Sequence, residues 1–211
     1  MVVIADGDAR EILASRPTID REETRKVASI LFPKERLEPQ DDSCLTWTSP
    51  PDDQIHIGCF PGLTIVAAKE FAIDNPSRIP TRFLDFAGTR AVHVHAMHSV
   101  VDWFAFAVWR NGKLERSLSL SPDSGIVEDI GQRLSFEVPY WEGSHPAIDP
   151  ADMEDGEPDY PFPFHPLELG EAALAEFFGY QLEGYVDQFP VDSESIPLLQ
   201  YKRKKALFKL W

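Results

Sequence analysis

A two-residue turn between two strand-like segments constrains this chain more than any other feature of its sequence. Asn111 and Gly112 separate the segment 102–110, DWFAFAVWR, from the segment 113–121, KLERSLSLS. Asn-Gly is typical of a type I′ turn, because both central residues of that turn need a positive φ. The two segments are therefore predicted to form an antiparallel hairpin.

The short turn also fixes the register of this hairpin, because a two-residue loop leaves no slack. Counting from the turn, we expect Trp109 to face Leu114 and Trp103 to face Leu120. The first strand is then apolar on both faces, which is typical of a central strand. One face of the second strand is small and polar, and its residues are Ser117, Ser119 and Ser121. The chain has no Gly-x-Ser-x-Gly elbow that would make a serine nucleophilic. These residues form a shallow groove or a solvated edge, and strand alternation favours the edge.

Helix signals on both sides of the hairpin set the fold class. Asp8 and Glu11 match a capping box, in which two side chains satisfy the free backbone N–H groups at a helix start. Asp20 and Glu23 repeat this pattern, and residues 167–178 form an amphipathic helical segment. We predict an α+β fold, with a mainly antiparallel β-sheet and helices packed on one face.

The composition varies along the chain in a way that suggests its organisation. At 211 residues, one domain with an added loop or tail is the default. We predict a single α+β domain over residues 1–200, in which residues 139–166 form a long loop that is acidic and rich in proline. Residues 201–211, YKRKKALFKLW, are basic and aromatic and are predicted to form a separate tail.

Charge and hydropathy exclude several classes of protein. The formal net charge of -15 argues against general nucleic-acid binding, because affinity for phosphates comes from clustered Lys and Arg. No apolar run approaches the roughly 20 residues needed for a transmembrane helix, and no signal-peptide pattern is present. Cys44 and Cys59 are too few for a disulfide framework. We expect an acidic, soluble, cytoplasmic protein.

The predicted tail is the first candidate binding segment. Its cationic and aromatic residues are Lys202, Arg203, Lys204, Lys205, Phe208 and Trp211. Written as a helix, the segment gathers its cations on one side and its apolar residues on the other. This arrangement is typical of segments that bind an anionic surface or an acidic groove on a protein partner. Docking onto the acidic loop of the same chain and a solvated, disordered end are the alternatives.

Three histidines form the second candidate site. His93, His95 and His98 belong to one predicted strand, where His93 and His95 point to the same face. Two imidazoles on one face can reach one zinc ion, and a bulge at the strand end would bring His98 to it. An open coordination position would make such a site hydrolytic. The alternative is that these histidines are polar residues on the exposed face of an alternating strand.

Two aspartates follow the first predicted strand. Asp6 and Asp8 are spaced like the paired aspartates of phosphoryl-transfer enzymes of the haloacid-dehalogenase type. Those enzymes need a Thr or Val two residues after the second aspartate, where this chain has Arg10, and they need a parallel sheet. We therefore interpret the pair as a turn followed by a helix cap.

Several segments resemble a bacterial family of uncharacterised proteins, a domain of unknown function. They are VVIADGD from Val2, PPDDQIHIGCFPG from Pro50, MHSVVDWFAFAVWRNGKLERSLSLSPDSGIVEDIG from Met97, and PFPFHPLELGEAALAEFFGY from Pro161. The resemblance runs nearly end to end and implies a cytosolic α+β protein. It implies no activity, cofactor or catalytic residue, so it assigns no role to individual positions.

Two classes of function are consistent with these patterns. The first is a non-catalytic interaction or binding protein, which we favour because the chain has no complete catalytic signature. The second is a zinc-dependent hydrolase that uses His93, His95 and His98. No catalytic residue, and no cofactor other than this zinc, is predicted.

Overall fold

An antiparallel sheet is the main element of the structure, a computed structural model that describes residues 1–148, 160–184 and 188–205. The strands are β1 (Val2–Ala5), β2 (Glu35–Pro39), β3 (Ser43–Cys44), β4 (Gln54–Phe60), β5 (Leu63–Ala67), β6 (Ala91–His98), β7 (Trp103–Arg110), β8 (Lys113–Ser121), β9 (Gly125–Gly131) and β10 (Pro197–Lys205). The helices are α1 (Ala9–Ala14), α2 (Arg21–Leu31), α3 (Thr81–Ala87), α4 (Val138–Trp141) and α5 (Pro166–Phe178). In the part of the chain that the structure describes, no helix is long and apolar enough to cross a membrane.

The strand order places the most apolar strands at the centre of the sheet. The order is β2-β10-β4-β5-β1-β6-β7-β8-β9, and β3 pairs with the start of β10. β1 is central, because it pairs with β5 on one side and with β6 on the other. Every strand pairing is antiparallel, which confirms the predicted α+β class.

The predicted hairpin turn is confirmed. Asn111 and Gly112 have φ values of 50° and 72°, so both central residues adopt the left-handed conformation that a type I′ turn requires. Trp109 faces Leu114, as the two-residue loop dictates. The local chemistry of Asn-Gly is therefore sufficient to start β7 and β8 in the right register.

Beyond Leu114 the predicted register is wrong, because β8 contains a bulge. Glu115 has no partner on β7, and Arg116 pairs with Val108. An extra residue sends every later side chain to the opposite face of the strand. Phe104, rather than Trp103, therefore faces Leu120.

The bulge also corrects the prediction for the serines of β8. Ser117 and Ser119 are fully buried, and Ser121 is nearly so, rather than forming a solvated edge. Trp103 Nε1 donates to Ser119 Oγ at 3.0 Å, and Ser117 Oγ donates to the carboxylate of Glu128. These hydroxyl groups are satisfied inside the protein, as buried polar groups need to be.

Helices cover both faces of the sheet, so the prediction that they pack on one face is wrong. The core on one face contains the buried residues of α1 and α5, and the core on the other contains those of α2 and α3. β1 and β7 contribute apolar side chains to both cores. A strand that is apolar on both faces needs cover on each of them, which explains the two layers.

The predicted boundary of the tail at residue 201 is also wrong, because β10 continues to Lys205. Arg203, whose side chain is 10% exposed, pairs with Glu35 at 2.5 Å and with Glu70 at 2.6 Å. Lys202 and Lys204 form exposed ion pairs with carboxylates of neighbouring segments. Segment 202–205 is therefore a strand and not the start of a helix. Partner binding through this segment stays a prediction, and Phe208 and Trp211 lie outside the described residues.

The predicted loop at 139–166 is pinned to the core by aromatic side chains. Phe164 is fully buried and packs edge to face against Trp141, with ring centroids 4.9 Å apart. Phe162 is also buried. The acidic residues 149–159 of this segment lie outside the described residues. The described parts are therefore held on the face of the sheet that α5 covers.

Gly131, which ends β9, offers a test of the close packing beside the bulge. Its φ is 85°, and a Cβ there would overlap the backbone carbonyl oxygen of Glu115. Gly125, at the other end of β9, has a φ of 67° and open space around the same position. We expect Gly131→Ala to lower the free energy of unfolding by about 1–3 kcal/mol more than Gly125→Ala does. Both substitutions place an alanine at a positive φ, but only the Cβ at position 131 would overlap backbone atoms. Urea unfolding of the two variants measures this difference, and equal losses would contradict it.

Candidate functional site: the His93 cleft

His93 and His95 point to the same face of β6, and that face is covered by α5. His93 is 5% exposed and His95 is 4% exposed, so the histidines do not lie on a solvated face. His98 is exposed at the end of the strand. Strand alternation therefore correctly predicts that His93 and His95 share a face. It does not predict that this face is buried, because the helix that covers it begins about 70 residues later in the chain.

His95 belongs to the core between the sheet and α5. Its Nε2 lies 2.9 Å from the carbonyl oxygen of Gly170, and its ring lies 5.4 Å from that of Phe104. The absence of a side chain at Gly170 allows this approach, because a Cβ there would overlap Met97. Burial lowers the pKa of His95 to about 3, so its imidazole is neutral at pH 7. Both its burial and its hydrogen bond indicate a structural role.

His93 lies two residues earlier, against the end of α5. Its ring centroid is 4.9 Å from that of Phe177 and 5.9 Å from that of Phe178. Its Nδ1 is buried and has no hydrogen-bond partner among the described residues. Burial lowers the pKa of His93 to about 4, with a further lowering by the positive charge of Arg110 and a small opposing effect of Asp8. His93 is therefore a neutral, buried imidazole with unused hydrogen-bonding capacity.

The described residues bring together no cluster of three His, Cys, Asp or Glu side chains that could hold a metal ion. His95 is engaged with Gly170, and His98 lies at the exposed end of β6. Zinc binding by His93, His95 and His98 stays a prediction, which metal analysis of the purified protein tests.

His93 lines a cleft of about 310 Å³, which we call the His93 cleft. Its wall comes from the turn after β1, the start of α1, the end of β7, the segment after β9, and α5. Its polar wall residues are Asp8, Arg10, Arg110, Ser135 and Glu176. The cleft therefore combines a neutral imidazole, two guanidinium groups, two carboxylates and a hydroxyl group.

The charged groups of the cleft differ in how far they are already engaged. Asp8 Oδ1 accepts from the backbone N–H groups of Arg10 at 2.8 Å and Glu11 at 3.3 Å, which agrees with its interpretation as a helix cap. Arg110 donates from Nε to Glu115 at 2.9 Å, which leaves its terminal nitrogens free of that ion pair. The stem of Arg10 packs over Gly179, while the residue itself is exposed.

A buried ion pair holds one wall of the cleft in place. Arg116 donates from Nε and Nη2 to the two carboxylate oxygens of Glu137 at 2.9 and 2.7 Å, and both side chains are fully buried. Burial opposes the charge of Arg116, but its hydrogen bonds to Glu137 and Asp129 raise its pKa overall. Glu137 also accepts from the backbone N–H of Leu134 at 2.7 Å. The side chain of Glu137 thus holds in place the preceding residues Ser135 and Phe136, which line the cleft.

A family model agrees with this chain over nearly its whole length. The model of a family of unknown function, DUF6928, matches residues 1–201. The chain belongs to this family. No curated protein and no solved structure matches it. The comparisons therefore confirm the resemblance to an uncharacterised family and assign no chemistry to the His93 cleft of this DUF6928 protein.

A second depression lies beside the His93 cleft on the surface of the DUF6928 chain. This depression has a volume of about 560 Å³, lies between α1 and α5, and is called the α1–α5 groove here. Its apolar wall residues are Ala14, Phe136, Ala172, Ala175, Phe189 and Pro190. Arg10, Phe136 and Glu176 line both depressions, so the polar cleft and the apolar groove lie side by side.

Of the polar residues of the cleft, the sequence singled out His93 as a candidate metal ligand and Asp8 as one of two aspartates, which was interpreted as a helix cap. Arg110 was recognisable as the residue beside the Asn-Gly turn, and Arg10 as a residue of the first capped helix. Nothing in the local sequence links them to Ser135 or Glu176, because the sheet and α5 bring these distant segments together. The usable signals were therefore the alternation that pointed to His93 and the capping box that pointed to Asp8.

Proposed function

We propose that this DUF6928 protein is a non-catalytic binding protein and that it binds a small polar molecule in the His93 cleft. The observation that supports this most strongly is the side chain of His93, which lines the cleft with Nδ1 buried and unpartnered. A neutral imidazole offers one hydrogen-bond donor and one acceptor. A buried polar atom without a partner is costly, so a ligand that becomes the partner of Nδ1 once the covering side chains move aside would recover hydrogen-bonding free energy.

Binding is favoured over catalysis by the surroundings of His93. A nucleophilic mechanism needs a hydroxyl or thiol group within hydrogen-bond reach of a base. Ser135 supplies the hydroxyl group of the cleft, but Nδ1 of His93 has no hydrogen-bond partner, so Ser135 is not paired with that nitrogen. The serines of β8 are engaged with Trp103 and Glu128 on the other face of the sheet. Its pKa of about 4 also makes His93 a weak base at neutral pH. The cleft is therefore better suited to recognition than to proton transfer.

Nuclear magnetic resonance titration with small probes tests this proposal. We expect inorganic phosphate, acetate, acetamide or methylammonium to shift the backbone amide signals of His93, Arg110 and Ser135 at millimolar concentration. The same probe should have at least about tenfold weaker affinity for His93→Phe, because the ring is kept while its nitrogen atoms are removed. His98→Gln, at the exposed end of the same strand, is the matched control and should bind normally.

Two results would contradict the proposal. If every probe that binds does so equally well to His93→Phe, or if none binds, the cleft is not a ligand site of this kind. Stoichiometric zinc in the purified protein, lost in His93→Ala and His95→Ala, would instead support the zinc-dependent hydrolase.

A further inference from the structure

We infer that the ligand of the His93 cleft is an amphipathic anion, with its anionic head beside His93 and Arg110 and its apolar tail in the α1–α5 groove. This inference rests on the proposed function and specifies the chemical class of the ligand. It depends on two independent features, the charges of the cleft and the apolar groove that lies beside it.

The charges at the inner end of the cleft favour an anionic head. Arg110 is the charged group with the larger effect on His93, and it keeps nitrogens that are not used by Glu115. Asp8 is the opposing charge, and one of its oxygens already accepts two backbone N–H groups. A carboxylate or phosphate group here can accept from the Arg110 guanidinium and from the neutral imidazole, and such charge-assisted hydrogen bonds are strong.

The outer part of the site favours an apolar tail. The α1–α5 groove is walled by alanines of two helices and by Phe136, Phe189 and Pro190. Ala172 and Ala175 are only partly buried, so small side chains on α5 leave room above the helix. Because Arg10, Phe136 and Glu176 belong to both depressions, the two are adjacent, and the inferred ligand would pass over these three residues to occupy both. Covering this apolar surface with a hydrocarbon chain adds the hydrophobic free energy that a small anion alone lacks.

The charge of Glu176 makes it possible to test whether the ligand is an anion or a cation. It is exposed and lies where the cleft and the groove meet, so its negative charge acts on any ligand that passes between them. Glu176→Gln should tighten the binding of an anion severalfold, because it removes repulsion. The same substitution would weaken the binding of a cation.

Isothermal titration calorimetry with hexanoate, acetate, hexanamide and hexyl phosphate separates the parts of the ligand. We expect hexanoate to bind at 1:1 stoichiometry and at least about tenfold tighter than acetate, because buried methylene groups add affinity. It should also bind at least about tenfold tighter than hexanamide, which has the tail but no charge. Comparison of hexanoate with hexyl phosphate shows which anionic head is preferred.

Two pairs of variants of the full chain locate the head and the tail. Arg110→Gln should weaken acetate and hexanoate alike, whereas Arg25→Gln, on the exposed side of α2, should not. Ala175→Trp should fill the groove, so it should weaken the binding of hexanoate and leave the binding of acetate unchanged. Ser29→Trp, also exposed on α2, is its control.

The outcomes distinguish this inference from the proposed function. If hexanoate and acetate bind equally and Ala175→Trp has no effect, the tail site is wrong while the His93 cleft stands. Equal binding of hexanamide and hexanoate, or weaker binding of hexanoate to Glu176→Gln, would show that the head is not anionic. Binding of hexanoate that is unchanged in His93→Phe would overturn the proposed function itself.

Discussion

Glu137→Gln should lower the free energy of unfolding by about 3–5 kcal/mol, the largest loss we expect from one substitution in this protein. The variant keeps the shape of the side chain but removes its charge, so Arg116 stays charged in a fully buried position and keeps only Asp129, which is 37% exposed, as an ion-pair partner among the described residues. The two parallel hydrogen bonds of the pair, at 2.9 and 2.7 Å, lose their charge-assisted character. Chemical unfolding followed by circular dichroism measures the loss.

A double substitution shows whether the buried charge causes this loss. In Arg116→Met with Glu137→Leu, neither charge remains, and we expect the double variant to be more stable than Glu137→Gln alone. Glu22→Gln is the exposed control, because Glu22 pairs with Lys26 on the surface of α2, where an ion pair contributes about 0–1 kcal/mol. Losses of similar size in Glu22→Gln and Glu137→Gln would show that burial does not set the importance of the pair.

Acidification should destabilise the protein through its buried histidines, above all His93 and His95. The pKa of His93 is about 4 in the folded chain, below its usual value of 6.5, so the unfolded chain takes up the proton first as the pH falls. The stabilising contribution is complete above pH 6.5 and is lost as the pH falls toward about 4. Each histidine adds a slope of about 1.4 kcal/mol per pH unit, so His93 alone accounts for about 3 kcal/mol.

Unfolding curves at several pH values between 6.5 and 4 isolate this effect from that of the carboxylates. His93→Phe should show a pH slope that is smaller by about 1.4 kcal/mol per unit, whatever its stability at neutral pH. His98→Gln, at the exposed end of the same strand, is the matched control variant. A slope that does not change in His93→Phe would mean that His93 titrates alike in the folded and unfolded chains.

Some features of this fold are determined by neighbouring residues, and others by residues far away in the chain. The turn at Asn111 and Gly112 was predictable, because the φ values it needs depend on those two residues alone. The bulge at Glu115 was not, because it turns Arg116 inward to meet Glu137, 21 residues further along the chain. A strictly alternating pattern would leave Arg116 on the wrong face for that ion pair, so a distant partner decides the local register.

The candidate site shows the same division. Alternation along β6 was enough to place His93 and His95 on one face, but not to show that α5 covers it. Arg203 was assigned to a tail by its basic neighbours, whereas its carboxylate partners Glu35 and Glu70 lie 168 and 133 residues away. Charge runs and strand periodicity depend on the composition of one segment. They do not predict which distant segment it contacts in the folded protein.

The position of β10 sets the order in which this sheet can be completed. β10 lies between β2 and β4, and within the described residues β2 and β3 have no other strand partner. While the chain is being synthesised, residues 35–44 therefore stay without a neighbouring strand until residues 197–205 have left the ribosome. Closing such a long loop is slow. A pause in synthesis, or the loss of β10, would therefore leave unpaired backbone groups at this edge of the sheet, where other chains can pair with them.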